Sequence, residues 1–149
     1  MGDNMSQAAA RIRVLIVEDN PQRIQTFLDW LPDDIVACVT TSAGKAIGVL
    51  QRDAKELAGI LLDHDLPEQA VTDADLTRSG SDVSGLIARL VPRHVPVLIH
   101  SMNPSGSAGM VRRLTSAGFS VTRIPMADLT VEHMCRWLEE VRDNWDDGQ

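Results

Sequence analysis

Three short apolar runs in this chain each stop at a cluster of titratable residues, and that recurrence leaves few folds open. Ile12-Arg13-Val14-Leu15-Ile16-Val17 ends in Glu18-Asp19, Ile60-Leu61-Leu62 ends in Asp63-His64-Asp65, and Val95-Pro96-Val97-Leu98-Ile99 ends in His100-Ser101-Met102-Asn103. Runs this short, bounded by charge, read as buried strands. Set side by side and parallel, such strands bring their carboxyl ends to one rim, the edge at which open α/β sheets bind ligands. Glu18, Asp19, Asp63, His64, Asp65, His100, Ser101 and Asn103 then share that rim.

The intervening segments read as helices. Asn20-Pro21 supplies an N-cap and a first-turn proline, and Ile24, Phe27, Leu28 and Leu31 follow at helical spacing until Pro32. Ile35 to Val39 reads as a second strand. Thr41-Ser42 caps a helix with Ala46, Ile47 and Leu50, weakened by glycines at 44 and 48. Val83, Leu86, Ile87 and Leu90 mark a third helix. Met110, Val111 and Leu114 mark a fourth, stopped by Gly118. Ser120 to Ile124 reads as the fifth strand, and Thr130 caps a last helix with Val131, Met134, Cys135, Leu138, Val141 and Trp145. Five strands alternating with five helices, joined by right-handed crossovers, give an α/β fold with a five-stranded doubly wound parallel sheet. Between Asp63 and about Gly80 runs a connection long enough to be functional or disordered, holding Glu68, Asp73, Asp75 and Arg78.

The 149 residues suit one domain, with residues 1–10 expected as a disordered tail and 11–149 as a single folded unit. A formal net charge of -7 argues against broad binding along duplex nucleic acid, which needs many Lys and Arg contacts to phosphate. No run reaches membrane-spanning length, and no leader sequence is recognisable. Cys38 and Cys135 have no neighbour at metal-ligand spacing, so two buried free thiols and a cytoplasmic location are expected. Trp30, Trp137 and Trp145 fall on helices away from the rim and read as packing or an interaction surface. The apolar residues of the last helix suit a covered core face and a homodimer equally.

The motifs resemble the receiver domains of two-component response regulators. Glu18-Asp19 matches their acidic pair, Asp63 with Leu66-Pro67 their phosphoacceptor aspartate, and Ser101 their Ser or Thr after the fourth strand. The resemblance implies the flavodoxin-like strand order 2-1-3-4-5. Where receivers carry Lys-Pro after the fifth strand, this chain has Ile124-Pro125, with Arg123 the nearest cation, and an arginine does not copy a lysine's point charge. Leu62 to Leu66 and the His100 to Pro104 turn resemble more closely the divergent cyclic-phosphate-processing receiver-like branch. That resemblance implies action on cyclic phosphate ends of RNA or nucleotides, in an RNA-repair setting.

On these residues, carboxylates at Glu18, Asp19 and Asp63 make a hard oxygen site for Mg²⁺ or Mn²⁺. Asp63 then serves as a nucleophile or only as a ligand. His64 and His100 are the candidates for proton transfer, against the plainer alternatives that His64 is a satisfied structural residue and His100 packs under a helix. Ser101, Asn103 and Arg123 are candidate phosphate contacts, Ser105 and Ser107 alternative helix caps, and Arg78 a second clamp on phosphate oxygens or, more simply, a solvated loop charge. Three functions follow: a metal-dependent phosphoesterase acting on cyclic phosphates, a stand-alone response regulator phosphorylated on Asp63 by a histidine kinase, and a catalytically silent pseudo-receiver that binds partners.

Overall fold

The computed structural model describes residues 12–64 and 80–148. The expected tail, Asp65 and the connection bearing Arg78 lie outside them. The chain alternates β1 (Ile12–Val17), α1 (Pro21–Trp30), β2 (Ile35–Thr40), α2 (Ala43–Asp53) with a 3₁₀ turn at Ala54–Glu56, β3 (Gly59–Leu62), α3 (Gly80–Leu90), β4 (Val97–Ile99), α4 (Pro104–Ser116), β5 (Val121–Arg123) and α5 (Val131–Gly148). All four strand pairings are parallel, in the order β2-β1-β3-β4-β5. This is the doubly wound sheet that the alternation implied.

Local chemistry sets where each helix starts. Asn20 Oδ1 accepts from the backbone N–H groups of Gln22 and Arg23, and Pro21, which has no N–H, needs no acceptor in the first turn. Ser42 caps α2 by accepting from Lys45 N–H. α4 is capped by Asn103, whose Oδ1 accepts from Gly106 N–H at 2.9 Å, rather than by Ser105 or Ser107. At the far end of α4, Gly118 takes φ +99°, a conformation costly for any side chain.

Strand alternation divides the core into two layers. Leu15, Val17, Ile60, Leu62, Val97 and Ile99 face α2, α3 and α4. Val14, Ile16, Leu61 and Leu98 face Phe27 of α1 and Met134, Trp137, Leu138 and Val141 of α5. Gly59 permits the second layer to close, because a Cβ there would lie 2.9 Å from the Trp137 ring and 3.0 Å from Val141. Trp30, Trp137 and Trp145 all belong to this layer.

Two readings need correction. The thiols are not both buried: Cys38 is half-buried because β2 is an edge strand, and Cys135 is exposed on the outer side of α5. Leu28 is exposed, leaving Phe27 as the fully buried residue of α1. Among the described residues no helix is long and apolar enough to cross a membrane.

Candidate metal and phosphate site

The sheet's own ladder places the site residues. Glu18 N–H donates to Thr40 O, Asp63 N–H to Val17 O and His100 N–H to Leu62 O, each at 3.1 Å. The residue that ends each of three strands is therefore held by one further parallel rung, and its side chain projects at the carboxyl rim. Glu18, Asp63 and His100 each offer a ligand atom within 4.8 Å of the other two, and all three are buried. Asp19, expected beside them, is also buried but falls outside this mutual group.

Glu18 is the most constrained member. Its Oε2 accepts from the N–H groups of Asp19 and Asn20, both at 3.0 Å, and its Oε1 faces His100 Nε2 at 2.8 Å. Burial favours the neutral acid at Glu18, but the hydrogen bond and charge of His100, the Asn20 N–H and the Arg23 guanidinium outweigh it and hold the carboxyl below its usual range. An ionised carboxylate only accepts, so His100 Nε2 carries the donated hydrogen. The imidazole is fully buried, meets the Phe27 ring edge-on at 4.9 Å, and has no partner for Nδ1 among the described residues. It sits under α1, as the plainer alternative supposed.

Asp63 experiences the opposite balance. Burial, and then the neighbouring charge of Glu18, push it up to about 6 despite His100, the His64 backbone N–H and Arg23. Its Oδ1 accepts from that N–H at 2.8 Å, and its Oδ2 lies 4.0 Å from Arg23. Two buried carboxylates with an imidazole between helix and sheet fit Mg²⁺ or Mn²⁺ by donor type, and the raised Asp63 reflects its burial first and the charge of Glu18 second.

The second half of the site gathers at the start of α4. Asn103 Nδ2 donates toward His64 Nδ1 at 3.4 Å, which leaves that ring nitrogen as the acceptor. The ring lies so close over Gly106 that a Cβ there would come 2.5 Å from it. Ser101 is fully buried, its Oγ accepting from Asn103 N–H, while Ser107 Oγ donates to Ser101 O. Arg123 is exposed and directs one N–H to Ser101 O at 3.3 Å. Ile124, at the position after it, packs against the α1/α5 core layer. The sequence reading overlooked Arg23, although a basic residue in the first turn of the helix after β1 necessarily starts at this rim.

The family model of the cyclic-phosphate processing receiver domain matches residues 13–116. The chain belongs to this family. This receiver domain is similar in fold to a response regulator receiver domain from Clostridium thermocellum (TM-score 0.64, 15% identity, 92% of this chain and 96% of that one). It is also similar to the receiver domain of the sensor histidine kinase PA1611 from Pseudomonas aeruginosa PAO1, which has a magnesium ion coordinated in its active-site cleft (TM-score 0.61, 19% identity, 86% and 94%). A two-component response regulator from Clostridium difficile gives TM-score 0.64 at 15% identity, over 89% of the receiver domain described here and 96% of its own chain. The comparison with curated proteins gives no match.

Proposed function

We propose that this receiver domain holds Mg²⁺ or Mn²⁺ on Glu18 and Asp63 and processes a phosphoester, the cyclic phosphate end of an RNA or a nucleotide. The observation that carries the reading is the buried pair itself: Asp63 is pushed up to about 6 beside an ionised Glu18, an imbalance that a divalent cation would relieve. When bound, the cation supplies positive charge for phosphoryl oxygens. The family description and the magnesium in the histidine-kinase receiver domain lend support.

The side chains divide the remaining work. His100 fixes Glu18 by donating from Nε2, and its burial against Phe27 makes it a positioning residue. His64, half-exposed at the rim and oriented by Asn103, is the group to move a proton between an attacking water and a leaving alkoxide. The N-terminal end of α4 favours the phosphate's negative charge beside Asn103. Ser101 supports this turn through Asn103 N–H.

³¹P NMR of a 2′,3′-cyclic nucleotide, incubated with protein and Mg²⁺ or Mn²⁺, tests the reading. The cyclic resonance is expected to disappear with wild type and to persist with Asp63→Asn. A spectrum unchanged by wild type, and by a short RNA ending in a cyclic phosphate, would remove this function. The position of Asp63 at the end of β3 also favours a second reading, phosphorylation of Asp63 by a histidine kinase, for which acetyl phosphate and an aspartyl-phosphate resonance are the corresponding test. The apolar Ile124 in place of a lysine weighs against it.

A further inference from the structure

We propose that Arg23 is the phosphate-binding cation of this site, taking the part that neither Ile124 nor Arg123 fills. The inference rests on the phosphoester reading above and assigns that site its anion-binding side chain.

Arg23 is placed by the helix start. Asn20 accepts its backbone N–H at 3.1 Å, and this fixes the first turn of α1 at the rim. From there the guanidinium reaches both acidic groups, with NH1 3.8 Å from Glu18 Oε1 and 4.0 Å from Asp63 Oδ2. These are Coulombic distances and not hydrogen bonds. Among the described residues the guanidinium makes no hydrogen bond, although the side chain is only 33% exposed. A half-buried arginine that makes only long ion pairs and no hydrogen bond among the described residues is suited to a ligand with two oxygens to offer, since its planar fork matches phosphate.

The other candidates are committed elsewhere. Among the described residues, Arg123 is exposed and gives an N–H to Ser101 O, and Ile124 packs half-buried against the core and carries no charge. The electrostatics favour exchange at Arg23. Its present attraction is to Glu18 and Asp63, and a divalent cation on those carboxylates would cancel much of it. With a cation held there, the guanidinium would be free to pair with an anion beside it. Arg23 thus offsets part of the charge of the acidic pair, and with a cation on that pair it would bind the substrate phosphate.

Arg23→Gln and Arg23→Lys separate this from a purely structural role, with thermal melts confirming that each variant folds. Mn²⁺ binding is read by the EPR signal of the free ion, and binding of inorganic phosphate to the Mn²⁺-saturated protein by calorimetry. Arg23→Gln is expected to bind Mn²⁺ as well as or better than wild type while losing about tenfold in phosphate affinity, with the lysine variant between. The loss should exceed that of Arg123→Gln. Unchanged phosphate affinity in Arg23→Gln overturns the proposal, as does wild-type protein that binds no phosphate. If phosphate affinity falls in Arg23→Gln while wild type leaves every cyclic phosphate intact, the inference stands and the proposed reaction fails. If wild type turns over cyclic phosphate and Arg23→Gln does so with the same KM, the reaction stands and Arg23 is excluded.

Discussion

Asp63 concentrates the electrostatic conflict of the site. Its pKa lies at about 6 in the folded protein against 3.8 ordinarily, so between those values the folded state binds more protons than the unfolded one. Stability from this group therefore falls as pH rises through that window, and the loss is complete above it. Metal-free Asp63→Asn is expected to be more stable than wild type at pH 7.5, by about 1–2 kcal/mol, with the gap closing toward pH 4. Urea unfolding at the two pH values measures this, and saturating Mn²⁺ should reverse the order by stabilising wild type alone. Glu18, held below its usual range, acts oppositely, contributing stability above that range that is lost on acidification. The sequence located Glu18, Asp63 and His100 at strand ends, because hydrophobic runs stop where backbone leaves the core. It did not show that His100 reaches Glu18 across 82 positions, since side-chain direction beyond the last rung depends on the loops and on Phe27.

Among the elements, α4 brings the most chemistry to the rim. Asn103-Pro104 was readable as a helix start, but the contact it organises was not. His64 belongs to the β3 loop and Gly106 to the first turn of α4, and only the packed structure shows that the imidazole occupies the space a Cβ would need. Gly106→Ala gains helix propensity of roughly 0.5–1 kcal/mol in principle, so stability alone will report little change. Its expected effect is displacement of His64, seen as a shift of that ring's resonances, with slower turnover of cyclic phosphate and Mn²⁺ affinity retained. The edge position of β2 was likewise beyond local patterning. Its apolar run looks like that of an interior strand, and only the strand order leaves Cys38 half-buried.

For the whole molecule, a formal net charge of -7 surrounds a site proposed to take an anion. Long-range repulsion should slow encounter with substrate, and salt should relieve it. KM for a cyclic nucleotide at saturating Mn²⁺ is expected to fall as ionic strength rises from about 20 to about 200 mM, the reverse of ordinary nucleic-acid binders. Steady-state kinetics in inert salt decide this. The global architecture was largely legible, because alternation of strands and helices with right-handed crossovers admits few topologies, and the sheet has the order that the resemblance to receiver domains implied. The bond between His100 and Glu18 also bears on how such a chain can change over generations. An apolar side chain at 100 would take from the buried Glu18 Oε1 its hydrogen-bond donor, while an apolar side chain at 18 would deprive the imidazole of the acceptor for its Nε2 hydrogen. The two positions therefore form one heritable unit. A lineage that alters either must pass through a weakened intermediate or replace both together, and in a collection of relatives the two columns should vary in step.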